Sequence, residues 1–284
     1  MPVGTLSSRT MRTLSALVVS LALLQAAASE EKSCSAVLFD GRPHNEQLLR
    51  SGLYKPSSLA VDHKRNALYF SYIPITDRVK YEIAKVDLNT GSFGHVNVDS
   101  GYSLAVDQKR HLAYIGTHKG IYKYDSSTNK ARLVLPAVTA WKLYFKDALY
   151  YIEFVSQALY KYVDGKSTLF EDLAGTKVYY FAIDDDYMVY CDDIGVFGKS
   201  RGSSDTVLYA EVRSVNEVRE IALDKKGRFF VCFDDGIYRV DKDEQALRKV
   251  ADVKGAYGMT FDADSQLIYS TENEVVRLVP NNDC

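Results

Sequence analysis

Aromatic and cationic residues recur at one position of the sequence, two residues ahead of each of six similar apolar segments. In chain order these residues are Ser57, Tyr102, Trp141, Tyr179, Arg219 and Tyr257. Tyrosine and tryptophan rings stack on flat conjugated molecules, and a guanidinium group binds carboxylate or sulfate oxygens. A fold that gathers these positions would build an aromatic-walled pocket with a cation at its rim, which suits an acidic aromatic ligand.

The positions directly after these residues extend the candidate site with Ser103, Lys142, Tyr180 and Glu220. Lys142 or Lys55 would assist Arg219 in binding an anionic group. The predicted ligand-binding set is Tyr102, Trp141, Tyr179, Tyr180, Arg219, Tyr257 and Lys142. Loops of the same face add weaker candidates, namely Tyr72, His118, Glu153, Phe154, Asp193 and Phe233. In the alternative interpretation the tyrosines only cap the core beside a loop.

The six apolar segments are copies of one phrase that recurs every 38–45 residues. They occupy residues 59–62, 104–107, 143–146, 181–184, 221–224 and 259–262. Each copy precedes a second strand-like run, and most are followed by a third and a fourth. Four short strands in about 40 residues are typical of a β-propeller blade, so six copies predict an all-β, six-bladed propeller. The alternative, a β-sandwich, has no reason to repeat one phrase six times.

An aspartate ends five of the six phrases, and Lys146 replaces it in the third. We expect this aspartate to accept hydrogen bonds from backbone N–H groups in the following turn. Because Lys146 interrupts the series, the six positions are not expected to form a shared catalytic or metal-binding ring.

The two ends of the chain are predicted to complete the sixth blade together. Only five residues follow the strand-like segment 274–279, and segment 35–40 is strand-like and otherwise unused. Pairing these segments would bring Cys34 close to Cys284, which selects a Cys34–Cys284 disulfide among the possible connectivities. Cys191 and Cys232 hold equivalent positions in consecutive blades, where either a disulfide or two buried free thiols would fit.

Residues 1–29 resemble a secretory signal peptide, with Arg9 and Arg12 ahead of an apolar run that ends in small residues. The alternative, a membrane anchor, needs a longer apolar run of about 20 residues. We expect residues 30–284 to form one secreted, monomeric propeller domain without a membrane partner. The net charge is −2, and no basic block of the kind that binds nucleic acid occurs.

No catalytic constellation can be assembled from the sequence. The nucleophile elbow, the zinc-protease helix and the phosphate loop are all missing from it. The run of aspartates at 184–186, with Asp192 and Asp193, leaves a calcium site open, although a solvated acidic turn is commoner. We therefore predict a non-enzymatic binding protein without a cofactor or metal. The alternatives are a metal-dependent propeller hydrolase of the lactonase type and a protein-interaction propeller.

The segment SCSAVLFDGRPHNEQLLRSGLYKPSSLAVDHKRNALYFSY, residues 33–72, resembles the start of the mature ommochrome-binding proteins of moths. The resemblance lies in an early cysteine, the HNE triplet, GLYKPSSLAVD and LYFSY. It implies a secreted haemolymph carrier of ommochromes, which are flat, conjugated and acidic phenoxazinone pigments. This ligand class agrees with the aromatic set and Arg219, although the resemblance assigns no individual binding residue.

Overall fold

The computed structural model describes residue 1, residues 36–77 and residues 79–282. Six antiparallel sheets form the structure, and only two short 3₁₀ helices occur among the described residues, Glu171–Leu173 and Val215–Glu217. The predicted signal peptide and the residues Cys34 and Cys284 fall outside the described part of the chain. The cleavage of the former and the bridging of the latter therefore remain predictions.

Each blade is a meander whose strands follow one another from the axis outward. Blade 1 contains β3 (Ser57–Asp62), β4 (Ala67–Tyr72), β5 (Glu82–Asp87) and β6 (Phe93–Val96), and blade 2 contains β7 (Ser103–Asp107), β8 (Leu112–Thr117), β9 (Gly120–Asp125) and β10 (Lys130–Pro136). Blade 3 contains β11 (Ala140–Phe145), β12 (Leu149–Glu153), β13 (Leu159–Val163) and β14 (Lys166–Leu169), and blade 4 contains β15 (Tyr180–Ile183), β16 (Tyr187–Cys191), β17 (Gly195–Ser200) and β18 (Thr206–Glu211). Blade 5 contains β19 (Val218–Leu223), β20 (Phe229–Phe233), β21 (Gly236–Asp241) and β22 (Ala246–Ala251), and blade 6 contains β23 (Gly258–Phe261), β24 (Leu267–Ser270) and β25 (Val275–Pro280).

The first strands of the blades form a closed ring, since each contacts the next and β23 contacts β3. The six-bladed propeller predicted from the repeat is thus confirmed. Apolar side chains fill the spaces between consecutive blades, so the second strands are buried on both faces, as in β4, where every residue is buried. This explains why these strands read as continuous apolar runs rather than alternating ones.

The aspartate at the end of the repeated phrase is a buried turn residue. Asp62, Asp107, Asp224 and Asp262 are all nearly inaccessible to water. In blade 2, Asp107 accepts hydrogen bonds from the backbone N–H groups of Lys109 and Arg110, at 2.9 and 3.0 Å. Equivalent bonds occur at the other three residues. The expectation that this aspartate satisfies backbone donors is confirmed.

Lys146, which replaces the aspartate in blade 3, bridges to blade 4. Its ammonium group lies 2.7 Å from Asp184 and 3.4 Å from Asp185. The pKa of Asp184 is lowered overall, because the bonds from Lys146 and the backbone outweigh the opposing effect of burial. The acidic run of blade 4 is therefore engaged in an ion pair between blades.

The strand that closes the ring differs from the predicted one. β2 (Arg42–Arg50) pairs with β25 in antiparallel register, and His44 lies opposite Pro280. Segment 35–40 contributes only the short outermost strand β1 (Val37–Phe39), which pairs with β2 rather than with β25. Closure by an N-terminal strand is thus confirmed, whereas the choice of 35–40 as that strand was wrong.

A polar clasp fixes the N-terminal hairpin to blade 5. Asp40, in the turn between β1 and β2, accepts from Arg228 at 2.8 Å and from Arg239 at 2.5 Å. The Asp40 backbone N–H donates to the carbonyl of Val250 at 2.9 Å. We call the contacts of Asp40 with these two arginines the Asp40 clasp. It holds the N-terminal strands against a blade with which they share no sheet.

Cys191 and Cys232 are free, buried thiols, so the disulfide left open by the sequence is not formed. Cys191 packs in the core between blades 4 and 5, whereas Cys232 packs in the core between blades 5 and 6. Equivalent positions of consecutive blades face the same way around the ring. The body of blade 5 consequently separates the two sulfur atoms.

Within the part of the chain that the structure describes, we find no helix that is long and apolar enough to cross a membrane.

Candidate functional site

A pocket of about 360 Å³ opens where the loops enter the first strands of the blades. Its lining residues are Ser57, Ser58, Tyr81, Tyr102, Thr139, Trp141, Lys142, Phe154, Tyr180, Arg219, Glu220 and Tyr257. Six of the seven residues of the predicted ligand-binding set are among them, drawn from blades 2 to 6. Tyr179 is the exception. The pocket lies within the size range of small-molecule sites.

β-bulges decide how many residues each blade contributes to the pocket. The first strands of blades 1, 3 and 5 each have a register shift at their start, and each contributes two successive residues. In blade 3, for example, the shift lies between Ala140 and Lys142, so both Trp141 and Lys142 face the pocket. Blades 2, 4 and 6 have no such shift in this strand pair and contribute one residue each at this position. A bulge redirects side chains in this way because it interrupts their strict alternation.

Tyr180 takes the pocket-facing place in blade 4, and Tyr179 does not line the pocket. In blades 2 and 6 the residue that corresponds to Tyr180 is Ser103 or Gly258, and the preceding tyrosine lines the pocket instead. Successive strand residues point to opposite faces, so an unbulged strand presents only one of the two tyrosines. Of the two predicted tyrosines the structure places only Tyr180 in the pocket lining, and the ligand-binding role of the set stays a prediction.

Two aromatic pairs line the pocket, one in blade 3 and the other at the start of blade 2. The rings of Trp141 and Phe154 lie 5.8 Å apart at a tilt of 47°, and those of Tyr81 and Tyr102 pack edge to face at 6.1 Å. Trp141 is 40% exposed and Phe154 is 49% exposed, which is unusual for large apolar side chains. This exposed aromatic area is available to a ligand.

Three residues that line the pocket were not found from the sequence, namely Ser58, Tyr81 and Thr139. Tyr81 belongs to the connection between β4 and β5, outside the repeated phrase. A signal for it exists, because the step between the first two copies is 45 residues and the later steps are 38–40. Of the weaker candidates, only Phe154 lines the pocket.

The pocket floor is a buried ion pair between Lys142 of blade 3 and Glu220 of blade 5, which we call the floor pair. Their side chains are 11% and 6% exposed, and the Lys142 ammonium donates directly to the Glu220 carboxylate. Both residues also line a second cavity of about 450 Å³ that follows the propeller axis. The floor pair therefore separates the pocket from the axial cavity. Burial raises the pKa of Glu220, and the Lys142 ammonium opposes this effect.

Arg219 is the second cation of the pocket. Its guanidinium lies 5.5 Å from the ring centre of Tyr257, and one Nη atom is 3.4 Å from Asp234, whose side chain is 67% exposed. Lys55 comes within 6.0 Å of the same tyrosine ring but does not line the pocket. Glu220 neutralises the charge of Lys142, so the lining residues carry one net positive charge, that of Arg219. This charge favours an anionic ligand.

Two polar atoms of the pocket residues are inaccessible to water and have no hydrogen-bond partner among the described residues. They are the Tyr102 hydroxyl oxygen and Arg219 Nε. Burial raises the pKa of Tyr102 to about 12, so the hydroxyl keeps its proton at neutral pH and is a donor. A buried donor without a partner carries a free-energy cost that a ligand acceptor would remove.

A hard-cation site fits the lining residues poorly. Calcium takes six to eight oxygen ligands, commonly several carboxylates, whereas Glu220 is the one carboxylate of the lining and already pairs with Lys142. Across the described residues, we find no group of three or more histidine, cysteine or acidic side chains placed to hold a metal ion.

Comparison with known proteins gives one sequence relative and several structural ones. The chain is 24% identical over 262 residues to the ommochrome-binding protein of Manduca sexta, covering 89% of this chain and 93% of that protein. A gluconolactonase of Xanthomonas campestris superposes with a TM-score of 0.69 at 14% identity, covering 88% of this chain and 96% of the other. The calcium-binding protein regucalcin of Agrobacterium tumefaciens superposes with a TM-score of 0.61 at 12% identity, covering 84% and 96%.

No protein-family model matches the chain. At 12–14% identity the two solved structures show a shared propeller fold and nothing of the ligand. The similarity to the Manduca sexta protein extends over nearly the whole of both chains. The resemblance to the moth ommochrome-binding proteins, seen first in residues 33–72, is thereby confirmed.

Proposed function

We propose that this protein is a carrier that binds a flat, conjugated and acidic aromatic pigment of the ommochrome type, without a covalent bond, in the pocket at the propeller mouth. The observation that carries the proposal is the pocket itself, about 360 Å³ in volume and walled by six aromatic residues. Aromatic walls select flat conjugated molecules because stacked rings gain about 0.5–1.5 kcal/mol beyond the burial of their area.

The charges of the pocket support an acidic ligand. Arg219 is half-buried, and its only ionic partner among the described residues is the exposed Asp234. A carboxylate that enters the pocket would form a stronger, less solvated pair with this guanidinium. The floor pair adds a second ammonium beneath the ligand, although Glu220 neutralises it.

The name of the Manduca sexta relative supports a binding protein, and the predicted signal peptide supports secretion into the haemolymph. The binding role and the secretion into the haemolymph are both part of this proposal. A non-enzymatic role also agrees with the lining residues, in which the acidic and basic side chains of the floor are paired with each other.

A metal-dependent lactonase is the second candidate function, because the fold is shared with a gluconolactonase. The chemistry of such a site needs several oxygen ligands around one ion. The pocket offers Glu220 and hydroxyl groups, and this donor set argues for the carrier.

A titration with xanthommatin separates the two candidates. Trp141 is the single tryptophan of the chain and lies in the pocket wall, so its fluorescence should be quenched as the pigment binds. We expect saturable quenching at one pigment per chain, together with a shift of the visible absorption band. Kynurenine, which lacks the fused tricyclic ring, is the matched control ligand and should bind more weakly.

Lactone hydrolysis is measured on the same preparation with and without EDTA. Turnover that EDTA abolishes, combined with unquenched Trp141 fluorescence, would overturn the carrier proposal in favour of the lactonase. Quenching by xanthommatin without lactone turnover would support it.

A further inference from the structure

The two unpartnered polar atoms of the pocket lie on opposite sides of the propeller ring. Tyr102 precedes the first strand of blade 2, and Arg219 belongs to the first strand of blade 5. The first strands contact one another in the order of blades 1 to 6, and blade 6 then contacts blade 1. Blades 2 and 5 are consequently three steps apart in both directions, so these two residues face each other across the axis.

Three further aromatic residues lie to the sides of the line from Tyr102 to Arg219. Trp141 and Tyr180 come from blades 3 and 4, and Tyr257 comes from blade 6. The pocket thus has polar donors at the two ends of one diameter and aromatic rings on both flanks. Both end groups can donate to a ligand, since Arg219 Nε and the Tyr102 hydroxyl each carry a proton and neither has a partner within the described residues.

We propose that the ligand is bipolar, a planar fused-ring molecule with a hydrogen-bond acceptor at each of its two opposite ends, one bonded to the Tyr102 hydroxyl and the other, anionic, bonded to Arg219 Nε. This inference rests on the proposed function and adds the pattern of acceptors that the pocket selects. The ring body would lie between Trp141 and Tyr180 on one side and Tyr257 on the other.

Tyr102 and Arg219 each contact an exposed side chain. Tyr81 packs edge to face on the Tyr102 ring and is 37% exposed. The contact of Arg219 with Asp234 is long, at 3.4 Å, and the carboxylate is well solvated. Turning Tyr81 or Asp234 outward breaks no buried hydrogen bond among the described residues, so a ligand can displace either side chain at little cost.

Two commercially available dyes test the acceptor pattern. Resorufin is a planar phenoxazinone with an oxygen at each end of its tricyclic ring and is an anion at pH 8. Phenoxazin-3-one has the same ring with an oxygen at one end only and is neutral. We expect resorufin to bind the wild-type protein at least tenfold more tightly, since only resorufin can engage both ends of the pocket.

Two variants test which residue binds each end of the ligand. Tyr102→Phe removes one donor and should weaken both dyes about fivefold or more, because each dye has an oxygen for that end. Arg219→Met should weaken resorufin at least tenfold and phenoxazin-3-one by a clearly smaller factor, because only resorufin brings an anionic oxygen to that end. Tyr122→Phe is the matched control, because Tyr122 lies in β9 of blade 2 away from the pocket and should change neither affinity.

The outcomes separate this inference from the proposed function. Equal affinity of the two dyes for the wild-type protein would overturn the bipolar ligand and leave an aromatic carrier standing. The bipolar ligand is likewise overturned if Arg219→Met weakens both dyes by one factor. Failure of both dyes to bind would contradict both proposals. The wild-type comparison decides even if a variant does not fold, which its thermal unfolding curve reports.

Discussion

Replacing Trp141 by alanine should weaken pigment binding without unfolding the propeller. The side chain is 40% exposed in the pocket wall, and an aromatic residue has about 200 Å² of side-chain area, so roughly 80 Å² faces the pocket or solvent. If a ligand covers about half of this area, the lost burial is worth about 1 kcal/mol at 25 cal/mol per Å². The lost ring stacking adds about 0.5–1.5 kcal/mol. The affinity should therefore fall roughly 10- to 60-fold.

The same change should cost little stability. Trp141 sits at a β-bulge, and its ring contact in the structure is with the exposed Phe154. We expect the Tm to fall by less than about 4 °C, which corresponds to about 1 kcal/mol in a domain of this size. Trp141→Phe, which keeps a stacking ring, is the conservative control and should recover most of the affinity.

Binding to the variant must be measured from a signal of the ligand rather than of the protein. Trp141 is the single tryptophan, so Trp141→Ala has no tryptophan fluorescence to be quenched. Titration of the protein into xanthommatin, read by the visible absorption shift or by calorimetry, gives Kd for all three proteins. An unchanged Kd for Trp141→Ala would show that the ligand does not touch this wall. An equal loss of affinity in Trp141→Ala and Trp141→Phe would refute the stacking argument in particular.

Three further predictions follow from the site and the ring closure. Tyr180→Ala should weaken pigment binding at least fivefold and Tyr179→Ala should leave Kd within twofold, as measured by the same titration, because only Tyr180 lines the pocket. Asp40→Asn breaks the Asp40 clasp and should cost about 1 kcal/mol, seen as a Tm lower by about 2–4 °C in a thermal melt. The pKa of Glu220 is raised in the folded state, so the folded protein binds a proton at this carboxyl more tightly than the unfolded chain does. The wild-type protein should therefore lose stability relative to Glu220→Gln as the pH rises above about 4, the ordinary pKa of a glutamate. A Tm difference between these two proteins that does not change with pH would contradict the raised pKa.

The propeller could be predicted from the sequence because its repeat is encoded in buried strands. Each first strand contacts two neighbouring blades, so its residues must be apolar and the same short sequence recurs in every blade. The number of its copies gives the number of blades. The closing strand could not be predicted in the same way. β2 reads RPHNEQLLR, and most of its residues are exposed, because it lies in the outer part of blade 6. The segment around β1 was predicted as the closing strand instead, because it contains the apolar residues VLF.

The site was predicted to the level of the ring of positions but not to the level of single side chains. Trp141 and Arg219 were found because they keep a fixed offset from the repeated phrase. Tyr179 and Tyr180 could not be told apart, because β-bulges set the facing of consecutive residues and a bulge leaves no clear mark in the sequence. Tyr81 was missed because it lies in an insertion between strands, where the repeat no longer aligns one blade with the next.

The pairing of β2 with β25 has a consequence for folding during synthesis. During synthesis β25 leaves the ribosome after the other described strands, so β2 has no partner on that side until β25 has emerged. Until then blade 6 lacks its third strand, and the N-terminal strands cannot complete the ring. A chain truncated before β25 should therefore leave the edge of β2 unpaired and aggregate through that edge.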